Sequence, residues 1–266
     1  MMDGWSLPVV LRELFAGYYG QRLPAPASYR SFITWLADRD LDAARTAWRA
    51  VFDGFDNPTL VAARPVGAGR RGVAPVKVPE RITRAVSELA RSQHTTVNTV
   101  LQAGFAQLLM LLTGQRDVAF GTRVSGRPAE VAGAESMVGL LINTVPVRAR
   151  ITGKPRSPSC SSSCSTCTTT HSNISTWRLA IHRATGHEQL FDTLFVYENY
   201  PIDTAALSGA DGWPSPSSPP ANTTLPAVRG GRARRELVLR VEFDTEVFDA
   251  PASRRSPSGC GGCWWR

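Results

Sequence analysis

Well-patterned helices and strands alternate in this sequence with three blocks that carry no hydrophobic period, and that alternation limits the fold more than any single motif. From residue 1 to about 155 the pattern is that of an ordinary globular protein. Leu7, Val10, Leu11, Leu14, Phe15 and Tyr18 fall at helical spacing, so Leu7 to Tyr19 reads as an amphipathic helix. A Pro/Ala linker over Leu23 to Ala27 follows. Leu41 to Phe52 gives a second helix with Trp48, Val51 and Phe52 on its apolar side. Pro79 to Ser92 gives a third, with Pro79 near the first turn, where a missing N–H costs nothing. The fourth opens at Thr95-Thr96 and carries Val97, Val100, Leu101, Phe105, Leu108, Leu109 and Leu112 before stopping at Gly114. Asp117 to Gly121 reads as a short buried strand. Val138 to Arg150 contains another, in which Val145, Val147 and Ala149 alternate. Helices alternating with strands predict an α/β layered domain.

The interrupting blocks are Ser157 to Thr170, nearly all Ser, Thr and Cys, then Trp213 to Arg235, rich in Pro, Ser and Arg, and finally Pro251 to Arg266. Between them lie a helix, Leu179 to Gly186, and two strands, Phe191 to Glu198 and Glu236 to Phe243. Structureless tracts inside an otherwise consistent pattern conflict with a single evolved core. All five cysteines fall in these tracts, at 160, 164, 167, 260 and 263. Cys164/Cys167 and Cys260/Cys263 form two C-x-x-C pairs that could hold zinc tetrahedrally, but a folded-looking stretch far longer than a zinc ribbon separates them. No metal site is assigned.

The chain has 266 residues, long enough for one or two domains, and is 42% hydrophobic, enough for a packed core. It has no apolar run of membrane-spanning length. Met1-Met2-Asp3-Gly4 places an acid where a signal peptide needs a basic region, so a cytoplasmic protein without a membrane partner is expected. The formal charge of +8 invites nucleic acid. Yet Lys77 and Lys154 are the only lysines among 30 basic residues, and arginine in such excess beside Ala, Gly and Pro is what GC-rich codons give. No nucleic-acid partner is expected; an Arg-rich or zinc-bearing binder built around Arg229 to Arg235 is the competing class.

Five segments carry a resemblance. Met2-Asp3-Gly4-Trp5-Ser6 is similar to the end of a His-His-x-x-x-Asp-Gly motif. Tyr29 to Leu36 (YRSFITWL), Asp117 to Glu130 (DVAFGTRVSGRPAE), Met137 to Arg148 (MVGLLINTVPVR) and Leu190 to Asp203 (LFDTLFVYENYPID) follow in order. Together they resemble the condensation domain of nonribosomal peptide synthetases. That resemblance implies an α/β, chloramphenicol-acetyltransferase-like condensation fold, incomplete and mostly its second lobe. Residues 1–27 would be the tail of the first lobe and its linker, 28–250 the second lobe, and 251–266 a tail out of frame. It further implies amide formation between aminoacyl or peptidyl thioesters on carrier proteins. The chain itself would bind no cofactor, the substrates riding on carrier phosphopantetheine. Its partners would be peptidyl and aminoacyl carrier domains and an adjacent adenylation domain. A CoA-dependent acyltransferase is the alternative within the wider superfamily, against which the Asn-Thr-Val-Pro-Val-Arg and Glu-Asn-Tyr-Pro blocks weigh.

The resemblance also assigns residues. Asp3 and Gly4 would be the structural remnant of the His motif, with Arg127 the expected partner of Asp3. Ser125, Gly126, Asn143 and Thr144 would lie beside a substrate channel. The motif's second His, usually given the proton work, would precede Met1, and His94, His171, His182 and His187 match none of its positions. No catalytic residue is therefore assigned, and a fragment inactive alone is expected. Trp5, Trp35 and Trp48 read as core, His182 and His187 as exposed, and Arg148 and Arg150 as solvating a strand edge.

The odd blocks become regular when read one base out of step. Written as CAC TCG AAC ATC AGC ACT TGG, His171 to Trp177 yields Leu-Glu-His-Gln-His-Leu in the shifted frame, a run such domains commonly show before the next helix. Trp213 to Thr224 shifts to Leu-Ala-Val-Thr-Glu-Leu-Thr-Ala-Arg-Glu-Tyr-Asn, a strand, turn and strand. Ala252 to Arg266 shifts to an amphipathic helix. The sequence thus predicts frameshifts across 156–178, 213–235 and 251–266.

Overall fold

A computed structural model describes residues 2–62, 70–150, 187, 189–198, 227–233 and 236–248. The five cysteines, His171, His182, the expected helix Leu179 to Gly186, and the segments 156–178, 213–224 and 251–266 lie outside the described residues. In chain order the elements are α1 (Ser6–Tyr18), α2 (Tyr29–Ala37), α3 (Leu41–Val51), β1 (Arg71–Val78), α4 (Glu80–Ser92) and α5 (Val97–Thr113). Then come β2 (Asp117–Ser125), β3 (Ile142–Arg150), β4 (Leu194–Glu198), β5 (Ala227–Ala233) and β6 (Glu236–Asp244).

The strands make one sheet in the order β1-β6-β5-β4-β2-β3. Strand β4 runs parallel to both β2 and β5, and every other pairing is antiparallel. The β2–β3 pairing is a hairpin whose register sets Asp117 opposite Arg150 at one end and Ser125 opposite Ile142 at the other. Among the described residues β3 lies at the edge of the sheet, where the missing ladder donor of Pro146 does least harm.

Helices cover both faces. Strand β2 alternates, sending Val118 and Phe120 to one side and Ala119 to the other, all fully buried. Phe105, Ala106 and Leu109 of α5 pack with Val118, Phe120, Val147 and Phe195. Phe105 meets Phe120 edge-on at 5.1 Å between ring centres, the geometry that aromatic quadrupoles favour. On the second face Trp48 and Phe52 of the α3 region, with Phe55 beyond it, pack with Ala119 and Leu190. Burying a side chain of this size contributes about 1.5–3 kcal/mol, so these two aromatic clusters hold α3 and α5 to the sheet.

Helix α5 starts and stops where its sequence says. Thr96 Oγ1 accepts from Thr99 N at 3.1 Å, and Gly114 takes φ +72° to close the C-terminus with its N–H on Met110 O. Two strands depart from expectation. Ala227–Ala233 forms β5 inside the stretch 213–235 read as structureless, because β4 and β6 supply ladders on both sides of a glycine- and arginine-rich segment of low strand propensity. Arg71–Val78 forms β1, unforeseen because Gly72 and Pro75 break its pattern. Helix α2 was present only as a motif. Helix α1 forms as expected but is turned over: Ser6, Val9 and Ala16 are buried, while Leu14 and Tyr18 are 62% and 81% exposed.

Candidate functional site

The end of the β2–β3 hairpin, the loop 126–141 and the first residues of the chain meet at one place. Gly126 leaves β2 directly under Leu141 O, and any Cβ there would overlap that carbonyl, so only glycine lets the neck of the loop close. The loop is packed from outside by α2, with Phe32 buried among Val131, Ala134, Met137 and Leu141, and Tyr29 Oη donating to Leu140 O at 2.9 Å. The loop is thereby a firm platform for what docks on it.

Asp3 is that docking residue. Its Oδ1 accepts from Ser6 N at 2.9 Å, from the Ser6 hydroxyl at 2.8 Å and from Arg127 Nη2 at 3.1 Å. Its Oδ2 accepts from Leu141 N at 3.0 Å. The bond to Ser6 N is that of a helix cap, satisfying a donor that the first turn of α1 leaves free. Asp3 N donates to Gly139 O, and Gly139 N donates to Ser6 Oγ. Arg127 completes the unit: Nη1 donates to Ala134 O at 2.6 Å and Met137 O at 2.9 Å while Nη2 faces Asp3. One guanidinium thus folds the loop and clamps the Asp-Gly turn. Four donor groups engage the two carboxylate oxygens of Asp3, and so tie the Asp-Gly turn to the loop.

The remaining residues singled out from sequence sit close in register. Gly4 lies half-buried in the turn between Asp3 and α1. Ser125 is exposed at the last position of β2, opposite Ile142. Asn143 faces Val124 in the ladder and its Oδ1 accepts from Thr144 N at 2.8 Å, while Thr144 itself pairs with Arg123. The hairpin thus brings Ser125, Gly126, Arg127 and Asn143 to one end of the sheet beside Asp3, with Thr144 one step further in.

Sequence reasoning missed a second arginine clamp at the hairpin's opposite end. Arg148, expected to solvate a strand edge, is 5% exposed. Its Nε and Nη2 grip the two oxygens of Asp117 at 2.9 and 2.6 Å, its Nη1 donates to Val51 O and Asp53 O, and its guanidinium lies 5.4 Å over Phe55. Arg150 adds a bond to Asp117 Oδ2 at 3.0 Å and is exposed, as read. Burial pushes the Asp117 carboxyl up, but the bonds and charges of Arg148 and Arg150 outweigh it and hold the pKa below the ordinary value. A cue existed: an acid opening β2 faces an Arg-x-Arg pair closing β3. His187, expected in solvent, is half-buried and meets Phe55 O at 3.2 Å, edge-on to the Phe55 ring. Trp48 is core, as expected, with no exposure; Trp5 and Trp35 are half-buried.

A buried acid elsewhere, Asp192, also escaped notice. Its Oδ2 accepts from Val61 N and Ala62 N at 2.7 and 2.6 Å, tying the segment after α3 to the start of β4. Burial raises its pKa, and those backbone bonds offset the rise only partly. Thr59, fully buried, reinforces the tie by donating its N–H to Leu190 O at 2.9 Å, and its Oγ1 accepts from Ala119 N of β2 at 2.8 Å. Among the described residues no group of three or more His, Cys, Asp or Glu is placed to hold a metal ion. No single helix there is long and apolar enough to cross a membrane.

The chain belongs to the condensation-domain family, whose profile (Condensation domain) matches residues 1–250. Its relatives are nonribosomal peptide synthetases. A linear gramicidin synthase polypeptide of Brevibacillus parabrevis is 31% identical over 298 aligned residues, covering 96% of this chain and 5% of that protein. A mycosubtilin synthase polypeptide of Bacillus subtilis is 40% identical over 158 residues, covering 56% of this chain and 6% of that protein. Among solved structures, the first condensation domain of the calcium-dependent antibiotic synthetase, in complex with a substrate analogue, aligns with a TM-score of 0.72 at 18% identity, over 94% of this chain and 60% of that one. A four-domain nonribosomal peptide synthetase, holo-AB3403 bound to AMP and glycine, aligns with a TM-score of 0.76 at 16% identity, over 95% and 22%. The chain therefore spans a small fraction of its curated relatives and about three fifths of a single solved condensation domain.

Proposed function

We propose that this chain is part of a condensation domain that joins an acyl group held as a thioester on one carrier protein to the α-amine of an aminoacyl group held on another. The amine nitrogen attacks the thioester carbonyl, the C–N bond forms, the C–S bond breaks, and the ammonium proton leaves with the phosphopantetheine thiol. Holding both thioesters in line supplies much of the acceleration, and a positioned base near neutral pKa takes the proton. The observation that carries this reading is the Asp3-Gly4 turn, clamped by Arg127 at the mouth of the β2–β3 hairpin.

Within that reaction the residues of this chain hold shape. Asp3 and Arg127 fix the turn, and Ser125, Gly126, Asn143 and Thr144 form the adjoining wall of a substrate channel. No described histidine sits at the turn: His94 follows the end of α4, and His187 is engaged at Phe55. We propose further that the polypeptide alone is inactive and that its segments 156–178, 213–235 and 251–266 are translated out of frame. Its working partners are carrier domains and an adenylation domain in the cytoplasm; the synthetase neighbour bound to AMP and glycine supports that company.

Two experiments test this. The chain, with segments 156–178, 213–235 and 251–266 restored to the shifted frame, is fused behind the preceding part of the matching condensation domain from the linear gramicidin synthase polypeptide. Given donor- and acceptor-loaded carriers, the fusion should yield a dipeptidyl thioester by mass spectrometry, while the chain alone yields none. A folded fusion that never forms the amide defeats the proposal, and turnover by the chain alone defeats the claim of inactivity. Resequencing the gene decides the frames, and an uninterrupted frame through the Ser/Cys tract removes that part.

A further inference from the structure

Three polar side chains gather at the mouth of the β2–β3 hairpin with nothing bonded to them. In an antiparallel ladder, residues directly opposite share a face, and so do residues two apart along one strand. Arg123 stands opposite Thr144, and Ser125 lies two places beyond Arg123, so the three share one face of the hairpin. Arg123 and Thr144 are half-buried, and Ser125 is exposed. Among the described residues none of these three side chains takes part in a hydrogen bond or an ion pair. The other three arginines of the hairpin and its loop are all engaged: Arg127 clamps Asp3, while Arg148 and Arg150 clamp Asp117. Arg123 shares neither acid. At about 3.3 Å per strand residue, Asp117 lies roughly 20 Å back along β2, beyond the reach of a guanidinium. Both oxygens of Asp3 are already taken. A half-buried guanidinium without a counter-ion is poorly placed for its charge, and its planar fork beside two hydroxyl donors is what a carboxylate accepts from.

We propose that Arg123, Ser125 and Thr144 form a subsite for the side-chain carboxylate of an acidic aminoacyl group, so that the domain selects an aspartyl or glutamyl thioester. The inference deepens the functional reading above, in which Ser125 and Thr144 already line the channel. Position favours an acyl side chain over the phosphate of the carrier arm. Ser125 leads within two residues to Arg127, whose guanidinium holds the Asp3-Gly4 turn. That turn belongs to the reacting end of the substrate, where the acyl group sits on the thiol; the phosphate lies at the carrier end of the same arm.

The test compares N-acetylglutamate with N-acetylglutamine on the full chain by thermal melts at matched ionic strength. The acid should raise the melting temperature, the amide should not, and Arg123→Met should abolish the difference. Because no bond of the fold runs through the Arg123 side chain, the unliganded variant should melt no lower than the parent. Equal shifts from acid and amide overturn the proposal. So does inorganic phosphate that stabilises as well as N-acetylglutamate, which would make this a general anion site. Selection is read in the frame-restored fusion, where kcat/KM for a glutamyl over a glutaminyl carrier should differ by at least about tenfold and approach parity in Arg123→Met. Parity in the parent fusion overturns the proposal. A fusion that forms no amide from any carrier counts against the functional reading, and the melting comparison then decides the subsite by itself.

Discussion

Arg127 Nη2 donates to Asp3 Oδ1 at 3.1 Å across 124 residues of sequence, and the two side chains are only 6% and 0% exposed. Removing one member strands the other in a dry site. Asp3→Ala should cost about 3–5 kcal/mol of stability. Arg127→Lys should fall nearly as far, since one ammonium cannot reach Asp3 and the carbonyls of Ala134 and Met137 together. Urea unfolding of both singles and the double checks this, and a double variant whose losses simply add would show the pair to be uncoupled.

Asp117 stabilises the fold only while ionised. Burial works against its charge, but Arg148 and Arg150 prevail and its folded pKa lies below the ordinary 3.8. Its contribution is complete above that ordinary value and is lost as pH falls through the lowered one. Asp117→Asn should therefore be less stable than the parent at pH 7, with the difference closing in acid below about pH 4. Thermal melts across that range measure it; parallel curves would contradict the assignment.

Asp192 carries the opposite sign. Its folded pKa is raised by burial, so the folded state holds the proton more tightly than the unfolded chain does. The penalty is fully present above the raised pKa and is relieved as pH drops toward the ordinary value. Asp192→Asn keeps an oxygen for Val61 N and Ala62 N while removing the charge. It should equal or exceed the parent's stability at pH 7 and lose that advantage in acid. A variant that is weaker at every pH would refute this.

Two glycines should respond in opposite directions. Gly126→Ala drives a methyl group into Leu141 O, a backbone atom held by the loop, and should cost about 1–3 kcal/mol. Gly104 lies mid-helix in α5 with open space where a Cβ would go, so Gly104→Ala should add about 0.5–1 kcal/mol. Denaturant midpoints of the two variants separate a packing constraint from a propensity effect.

Elements with strong local signals were legible before the structure. Thr96 and Gly114 bracketed α5, and the Asp-Gly remnant and Ser-Gly-Arg-Pro motif pointed to residues that the structure brings into contact. Strand β5 was not legible, because its conformation comes from the neighbours on both sides and not from Gly230 or Gly231. The burial of Arg148 depended on the hairpin register that places it near Asp117, a long-range relation that strand alternation alone does not encode. Helix α1 shows a further limit: periodicity finds an apolar face but is silent on whether that face meets the same chain.

The strand order also dictates a timetable for synthesis. Among the described residues strand β1 pairs with β6 alone, with Val78 facing Leu237 and Arg71 facing Asp244. The β2–β3 hairpin can close soon after it leaves the ribosome, whereas β1 must wait until Glu236–Asp244 has emerged. During that interval its ladder groups are open to any other extended segment. A ribosome stall or premature stop before residue 236 would thus leave a nascent chain with an unpaired early strand.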